Sequence, residues 1–279
     1  MALRWPPGPS PQQAQSDAAG ALMRLTQLAA ERASALLDAV LPSCCALCGG
    51  RADDIAQAAA PACAPWRCLC APCHRQFFGE APPRCRICAN PLDAHVRART
   101  CGACLAQRPA FDATVVAADY ALPLDELVLQ LKFGGRLALA GLCAQTLHAA
   151  VLRERELALP ALLCPVPLGR ERLAQRGYNQ ALEIARPLAR ALRVALHPRL
   201  AARARETVAQ SLVAPSARRA NIAHAFAVAD GALVRGRHIG IVDDVMTSGA
   251  TLHELAATFK RYGAARVSNF VFARTPPHR

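Results

Sequence analysis

Lysine is almost absent from this 279-residue sequence: Lys132 and Lys260 are the only two, and every other basic residue counted is arginine. Acidic residues are also few, because 20 Asp and Glu stand against 33 Lys and Arg, giving a formal net charge of +13. The guanidinium group matches the geometry of a phosphate group, so this excess fits a phosphate-bearing partner. A general bias towards alanine and arginine gives the same counts, and charge alone leaves both explanations open.

Long apolar runs are missing as well. The most hydrophobic early stretch, residues 21–41, is interrupted by four charged residues, among them Arg24 and Asp38. A membrane-spanning helix needs about 20 mostly apolar residues, and the proline-rich residues 5–11 do not resemble the apolar part of a signal peptide. We therefore expect no membrane span and no targeting segment, and a soluble protein of the cytoplasm.

Cysteine, in contrast, is abundant: 11 of the 13 cysteines lie between Cys44 and Cys104. In a cytoplasmic protein this density indicates metal binding rather than disulfides. Two cysteines separated by two residues can both face one ion, and two such pairs complete a tetrahedral site of four thiolates. The four Cys-x2-Cys pairs predict two such sites, formed by Cys45, Cys48, Cys70 and Cys73 and by Cys85, Cys88, Cys101 and Cys104.

The ligands of the first site have alternatives, because Cys44 could replace Cys45 and Cys68 could replace Cys70. Iron also accepts four thiolates, but the sequence has no ferredoxin-like run of cysteines. We therefore expect two structural zinc ions. Buried or redox-active thiols are the alternative to metal ligands.

The apolar pattern divides the chain into three parts. Residues 1–41 are predicted to be a disordered leader with an amphipathic helix, and residues 42–108 a double zinc ribbon in which metal replaces a core. Residues 109–279 alternate strand and helix patterns, which is typical of an α/β domain with a mainly parallel sheet and helices on both faces. The predicted strands cover residues 114–118, 161–167, 239–242 and 266–272, and the predicted helices residues 124–133, 137–155, 179–193 and 250–262.

One stretch of the sequence has the residues of a ligand-binding site. Asp243 and Asp244 lie at the end of a predicted buried strand, and a short Thr/Ser/Gly loop connects them to a predicted helix. Loop amides, the helix N-terminus and hydroxyl groups together form a site for an anion, and a glycine lets a ligand approach the backbone. An anion site beside two carboxylates fits a ribose 5-phosphate, with its 2- and 3-hydroxyls on the carboxylates. The predicted phosphate-binding residues are Thr247, Ser248, Gly249, Ala250 and Thr251. A capped helix after a core strand explains the loop but not the carboxylates.

This loop is similar to the one that binds phosphoribosyl pyrophosphate (PRPP) in type I phosphoribosyltransferases. Other motifs accompany it in order along the chain: Leu131-Lys132-Phe133 with Arg136, Pro165-Val166-Pro167-Leu168 with Arg172, Arg176-Gly177-Tyr178-Asn179-Gln180, Thr207-x-x-Gln210, Arg218-x-x-Asn221 and Ala225-Phe226. With the cysteine pairs, the set resembles the ComF family over residues 36–274. These bacterial proteins join an N-terminal zinc module to a phosphoribosyltransferase-like domain. The long leader and the insertion at residues 49–67 depart from that pattern.

The resemblance implies a site for PRPP or a related ribose phosphate, with Mg²⁺ held mainly by pyrophosphate and ribose oxygens. In a transferase of this kind, pyrophosphate leaves the anomeric carbon through an oxocarbenium-like state, and positioning and charge do most of the work. Asp243 and Asp244 would then lie at the reacting sugar. Arg170 would face the pyrophosphate, and the segment Arg176–Gln180 would close over the site.

The resemblance also implies a role in DNA uptake and natural competence. Residues 111–279 hold 22 basic and 13 acidic residues, an excess that could bind single-stranded DNA electrostatically. Aromatic residues make up only 5% of the chain, which argues against binding that relies on base stacking. A non-catalytic accessory protein of the DNA-uptake machinery that binds single-stranded DNA is therefore the alternative to a PRPP-dependent enzyme, and the two functions are compatible.

Overall fold

The computed structural model describes residues 44–50, 69–79, 82–93, 99–154, 156–203 and 225–276. The leader and helix predicted over residues 1–41 lie outside these ranges, as do Cys63, Cys68 and the motif residues 207–221. The division of the chain at residues 41 and 108 stays a prediction.

A parallel sheet of five strands forms the centre of the described chain. The strands are β1 (Ala113–Asp119), β2 (Leu162–Pro165), β3 (Ala195–Leu196), β4 (Ala201–Arg203), β5 (Phe226–Val228), β6 (His238–Met246) and β7 (Arg266–Arg274). The order across the main sheet is β1-β7-β6-β2-β3, and β4 and β5 pair separately as an antiparallel ribbon. Parallel neighbours need long crossover connections, which helices supply here.

Helices cover both faces of this sheet. They are α1 (Ala71–Phe78), α2 (Gly102–Ala106), α3 (Leu124–Phe133), α4 (Ala138–Arg153), α5 (Arg170–Arg176), α6 (Gln180–Leu192) and α7 (Ala250–Arg261). Helices α3, α4 and α6 share one core with the sheet, whereas α7 buries Leu252 and Phe259 in a second core. The predicted α/β class is therefore confirmed. In the described ranges, no helix combines the length and apolar character that crossing a bilayer requires.

Each cysteine-rich segment shares a core with one face of the sheet. Cys45, Cys70 and Cys73 belong to the core that contains Phe272, and the ring of Phe78 lies 6.2 Å from the ring of that residue. The second segment is in the other core, where Cys85, Cys88 and Cys104 are buried together with residues of α7. The four-cysteine segments are thus built onto the sheet rather than separated from it.

Candidate functional site

The two aspartates lie within β6, the strand between β7 and β2. Backbone pairing continues past the apolar run, because Asp243 lies opposite Val271 and Met246 opposite Arg274. The strand is therefore longer than the predicted residues 239–242, and it contains the acid pair instead of ending before it. Both carboxylates still lie at the carboxyl-end side of the sheet, where ligands bind in α/β folds.

The carboxylates of Asp243 and Asp244 influence each other. Asp244 is buried, and its Oδ1 accepts a hydrogen bond from the Val245 N–H at 2.7 Å, while Asp243 Oδ1 accepts one from the Asp244 N–H at 2.9 Å. Burial, and after it the charge of Asp244, raise the pKa of Asp243 well above its usual value, and the positive charge of Lys132 opposes this rise. Ionisation of both carboxylates is therefore unfavourable unless hydrogen-bond donors or cations stabilise the two negative charges.

Lys132 provides one such cation. It lies in the last turn of α3, and its Nζ is 3.2 Å from Asp244 Oδ2; the two side chains are 21% and 10% exposed, so solvent screens this ion pair little. The family resemblance included Lys132 but assigned it no role. Its rarity was the available signal, because it is one of two lysines in a chain that otherwise uses arginine.

The segment Arg176–Gln180 is fixed against the end of α3. The Tyr178 hydroxyl donates a hydrogen bond to the Leu131 carbonyl, and the Arg176 guanidinium lies over the Phe133 ring, 4.9 Å from its centroid. The segment therefore lies beside the helix that carries the cation of the acid pair. Its closure over a ligand stays a prediction.

Two further predicted residues have clear positions. Asn179 begins α6: its side chain accepts hydrogen bonds from the N–H groups of Ala181 and Leu182 and donates one to the Val166 carbonyl at 3.0 Å. Arg170 is the exposed first residue of α5. Its contact with a pyrophosphate group stays a prediction.

The loop after β6 leads directly into α7. Thr247 and Ser248 are exposed, Gly249 and Ala250 are buried, and Thr251 is half-buried. Gly249 has φ +80°, a left-handed backbone conformation that strains any residue with a Cβ, so this turn favours glycine. The first amides of a helix have no partner within it, which makes the loop suitable for an anion.

The structure brings both predicted four-cysteine groups together. In each group the four sulfur atoms all lie within 4.8 Å of one another. The Sγ atoms of Cys48 and Cys70 are 3.7 Å apart, and those of Cys88 and Cys101 are 3.6 Å apart. Thiolates placed about 2.3 Å from a tetrahedral zinc ion are about 3.8 Å from one another. Four sulfur donors with these spacings fit zinc.

Short helices position the second half of each group. Helix α1 begins directly after Cys70 and carries Cys73, and α2 begins after Cys101 and carries Cys104. Of the alternatives in the first group, Cys45 is buried among the four sulfurs, whereas Cys44 is exposed and not part of the group.

The thiols of the second group differ in acidity. Burial acts to raise the pKa of Cys85, but N–H groups of Cys88, Cys101 and Ile87 together outweigh it and lower that pKa to about 7. Burial raises the pKa of Cys88 to about 12. A zinc ion bound by this group would displace protons from some of these thiols, so its binding would weaken as the pH falls.

Two comparisons with known proteins each match part of this chain. A family model described as "Phosphoribosyl transferase domain" matches residues 176–278, which include β6, the loop and α7. A solved structure of the allosteric regulatory enzyme of purine biosynthesis aligns with 46% of this chain and 25% of its own chain at 14% identity. Its TM-score of 0.28 is too low to bear on the function of this chain.

Curated relatives match most of this chain. DNA utilization protein YhgH of Escherichia coli (strain K12) is 35% identical over 212 residues, which are 74% of this chain and 90% of that protein. Competence protein F of Haemophilus influenzae is 32% identical over 210 residues, with the same two coverages. YhgH of Salmonella typhimurium is 36% identical over 210 residues. With these similarities, two four-cysteine groups and a phosphoribosyltransferase domain, the chain belongs to the ComF family, the family of competence protein F.

Proposed function

We propose that this protein binds PRPP or a related ribose 5-phosphate, and that it acts in the use of DNA taken up by the cell. One observation carries the first part: an acid pair within the central strand is followed directly by a glycine-containing loop at the start of α7. The names of the relatives, DNA utilization protein and competence protein F, support the second part.

In this proposal, the ribose hydroxyls donate hydrogen bonds to Asp243 and Asp244, and the 5-phosphate accepts them from the loop Thr247–Thr251. Hydroxyl donors stabilise the ionised form of a carboxylate, which suits an aspartate whose pKa is raised by burial and by its neighbour. Mg²⁺ would accompany the pyrophosphate of PRPP. Transfer at the anomeric carbon is then a matter of positioning and charge.

The direct test is calorimetry of the full chain with PRPP and Mg²⁺, accompanied by thermal unfolding. We expect saturable binding and an increase in Tm with PRPP concentration, because a ligand that binds only the folded state stabilises it. Ribose 5-phosphate alone tests whether the pyrophosphate is needed. A protein whose heat and Tm respond to neither compound would exclude ribose-phosphate binding.

The loop hydroxyls provide a sharper measurement. Thr251→Val keeps the side-chain shape but removes the hydroxyl, so PRPP binding should weaken by about 1.5–3 kcal/mol, the contribution of a hydrogen bond to a charged group. Thr251→Ser restores the hydroxyl and should bind nearly as the wild type does. If both variants bind PRPP equally well, Thr251 does not contact the phosphate through its hydroxyl.

Binding of single-stranded DNA is the second candidate function, favoured by the basic excess of residues 111–279. Such binding should not depend on base sequence, and its affinity should fall steeply with salt because it releases counterions.

Two triple variants of the full chain locate this binding. Replacing the exposed arginines Arg190, Arg235 and Arg237 by alanine should reduce the salt dependence measured with oligo(dT), by about 0.7 in logarithmic slope for each DNA phosphate that is no longer neutralised. The control replaces three exposed arginines of the cysteine-rich region: Arg75, Arg86 and Arg108. A larger reduction in the control would place the DNA surface in the cysteine-rich region instead.

A further inference from the structure

We propose that Arg274 is a positioning residue that couples the second four-cysteine group to the phosphate-binding loop, residues 247–251. Metal in that group would then regulate the ribose-phosphate site. The identity of the ligand rests on the proposed function, whereas the coupling rests on contacts within this chain.

Arg274 bridges the two sites directly. It is the last residue of β7 and is only 6% exposed. Its Nε donates a hydrogen bond to the Cys88 carbonyl at 3.2 Å. Its Nη1 donates to the carbonyls of Met246, at 3.1 Å, of Thr247, and of Thr275, at 2.7 Å. One planar guanidinium thus holds Cys88 of the cysteine group, Met246 directly before the loop, and Thr247, the first residue of the loop.

These contacts determine how the loop presents its amides. In a trans peptide the C=O and the following N–H point in opposite directions. An arginine that holds the carbonyls of Met246 and Thr247 on one side therefore directs the N–H groups of Thr247 and Ser248 to the other side. Those two amides precede α7, where the anion is expected. The Met246 carbonyl also accepts a hydrogen bond from the Thr275 N–H at 3.0 Å. It is therefore the Thr247 carbonyl, and with it the Ser248 N–H, that loses its fixed direction if Arg274 moves.

The cysteine group in turn fixes Arg274. A buried guanidinium needs nearby negative charge, and carbonyl oxygens carry only partial charges. A zinc ion with four thiolates has a formal charge of −2, which the second group would place beside Arg274. Without the ion, the group loses that charge and the rigid geometry that presents the Cys88 carbonyl.

Coupling between two sites is reciprocal. Metal in the second group should strengthen PRPP binding, and bound PRPP should slow the loss of that metal. The first four-cysteine group shares its core with the opposite face of the sheet, so it serves as an internal reference.

Arg84 offers a matched control. Its Nη1 donates to the Ala89 carbonyl at 3.2 Å, next to Cys88, but its other contact is an ion pair with Asp119 on β1 at 2.9 Å. Within the described chain Arg84 donates no hydrogen bond to residues 246–251, and its positive charge acts on Arg274. Arg84→Lys keeps that charge, so it perturbs the cysteine group without removing a contact of the loop. Arg274→Lys keeps the charge but loses the planar group that holds both sites.

The first experiment measures amide hydrogen exchange in the zinc-loaded full chain, without PRPP. Arg274→Lys should speed exchange by about tenfold both near Cys88 and in residues 247–251, a change within the usual range of coupling between sites. Arg84→Lys should speed it near Cys88 only. Unchanged exchange of the loop in Arg274→Lys, or equal changes in the two variants, would overturn the coupling.

The second experiment follows zinc release to a chromogenic chelator with and without PRPP. In the wild type and in Arg84→Lys, PRPP should slow the release of one of the two zinc ions by about tenfold. In Arg274→Lys, PRPP should not slow the release of either zinc ion. Protection that persists in Arg274→Lys, or that is missing in a wild type shown by calorimetry to bind PRPP, would overturn the coupling. A wild type that does not bind PRPP would refute the proposed function, and the exchange experiment would still decide the coupling.

Discussion

A protein in which Asp243 and Asp244 are both replaced by asparagine is expected to lose binding of PRPP. Each carboxylate should accept a hydrogen bond from a hydroxyl group of the ribose. A hydrogen bond to a charged group contributes about 1.5–3 kcal/mol. The loss of two such bonds should weaken binding by roughly a hundredfold or more. Calorimetry with PRPP and Mg²⁺ measures this, and unchanged affinity would show that the ribose lies elsewhere.

The control for this double variant is another adjacent acid pair. Asp125 and Glu126 lie in the first turn of α3, at the opposite end of the helix from Lys132. Replacing them by asparagine and glutamine removes the same charge from the protein, so any general electrostatic effect on PRPP binding should appear there too. We expect PRPP affinity close to that of the wild type.

The single variants separate binding from stability. Because the pKa of Asp243 is raised on folding, the folded state binds more protons than the unfolded state above the usual aspartate pKa of about 3.9. The free energy of unfolding therefore falls as the pH rises from the usual aspartate pKa to the raised pKa of Asp243 in the folded protein. Asp243→Asn should remove this fall and so stabilise the protein near neutral pH. Asp244→Asn should not stabilise it, because Lys132 would lose its partner. Denaturant unfolding at several pH values measures both.

Replacing Cys101 by serine should have the largest effect on stability. The binding energy of structural zinc is folding energy, about 10–16 kcal/mol in small zinc domains, whereas a whole domain is stable by only about 5–15 kcal/mol. Because the second group shares its core with α7, loss of its metal should destabilise that face of the sheet by several kcal/mol. We expect about two zinc ions per wild-type chain and about one in Cys101→Ser, together with a lower Tm.

A buried cysteine outside both groups provides the control. Cys143 lies in α4 and is 0% exposed, so Cys143→Ala should reduce stability through lost contacts in the core and should keep both zinc ions. Elemental analysis distinguishes the cases. Iron in place of zinc, or less than one metal ion per chain after growth with ample zinc, would contradict the zinc assignment.

The sequence predicted the helices and strands in which buried apolar side chains recur at regular spacing. Helix α3 was expected over residues 124–133 and is found there, because its buried leucines recur at helical spacing and glycines follow it. Helix α5, over Arg170–Arg176, was not predicted, since none of its residues is buried and no apolar period marks it. β6 extends past Val242 because pairing with β7 is a backbone interaction, which does not need apolar side chains.

The candidate site was predictable only where its residues are neighbours in sequence. Asp243, Asp244 and the loop form one continuous motif, and the cysteines occur in closely spaced pairs. The contacts of Lys132 with Asp244 and of Arg274 with Cys88 join residues that are far apart in the chain. Only the folded sheet brings these side chains together, so no local pattern could reveal them.

The order of the strands also affects how this protein can fold during synthesis. Among the strands of the described residues, β6 and β7 are synthesised last, yet they occupy the middle of the sheet, between β1 and β2. β1 pairs with β7 in the finished sheet. β1 therefore cannot form this pairing until nearly all of the described chain has been synthesised. The sheet therefore cannot grow strand by strand from its first-made edge, and its exposed early strands are candidates for protection by chaperones.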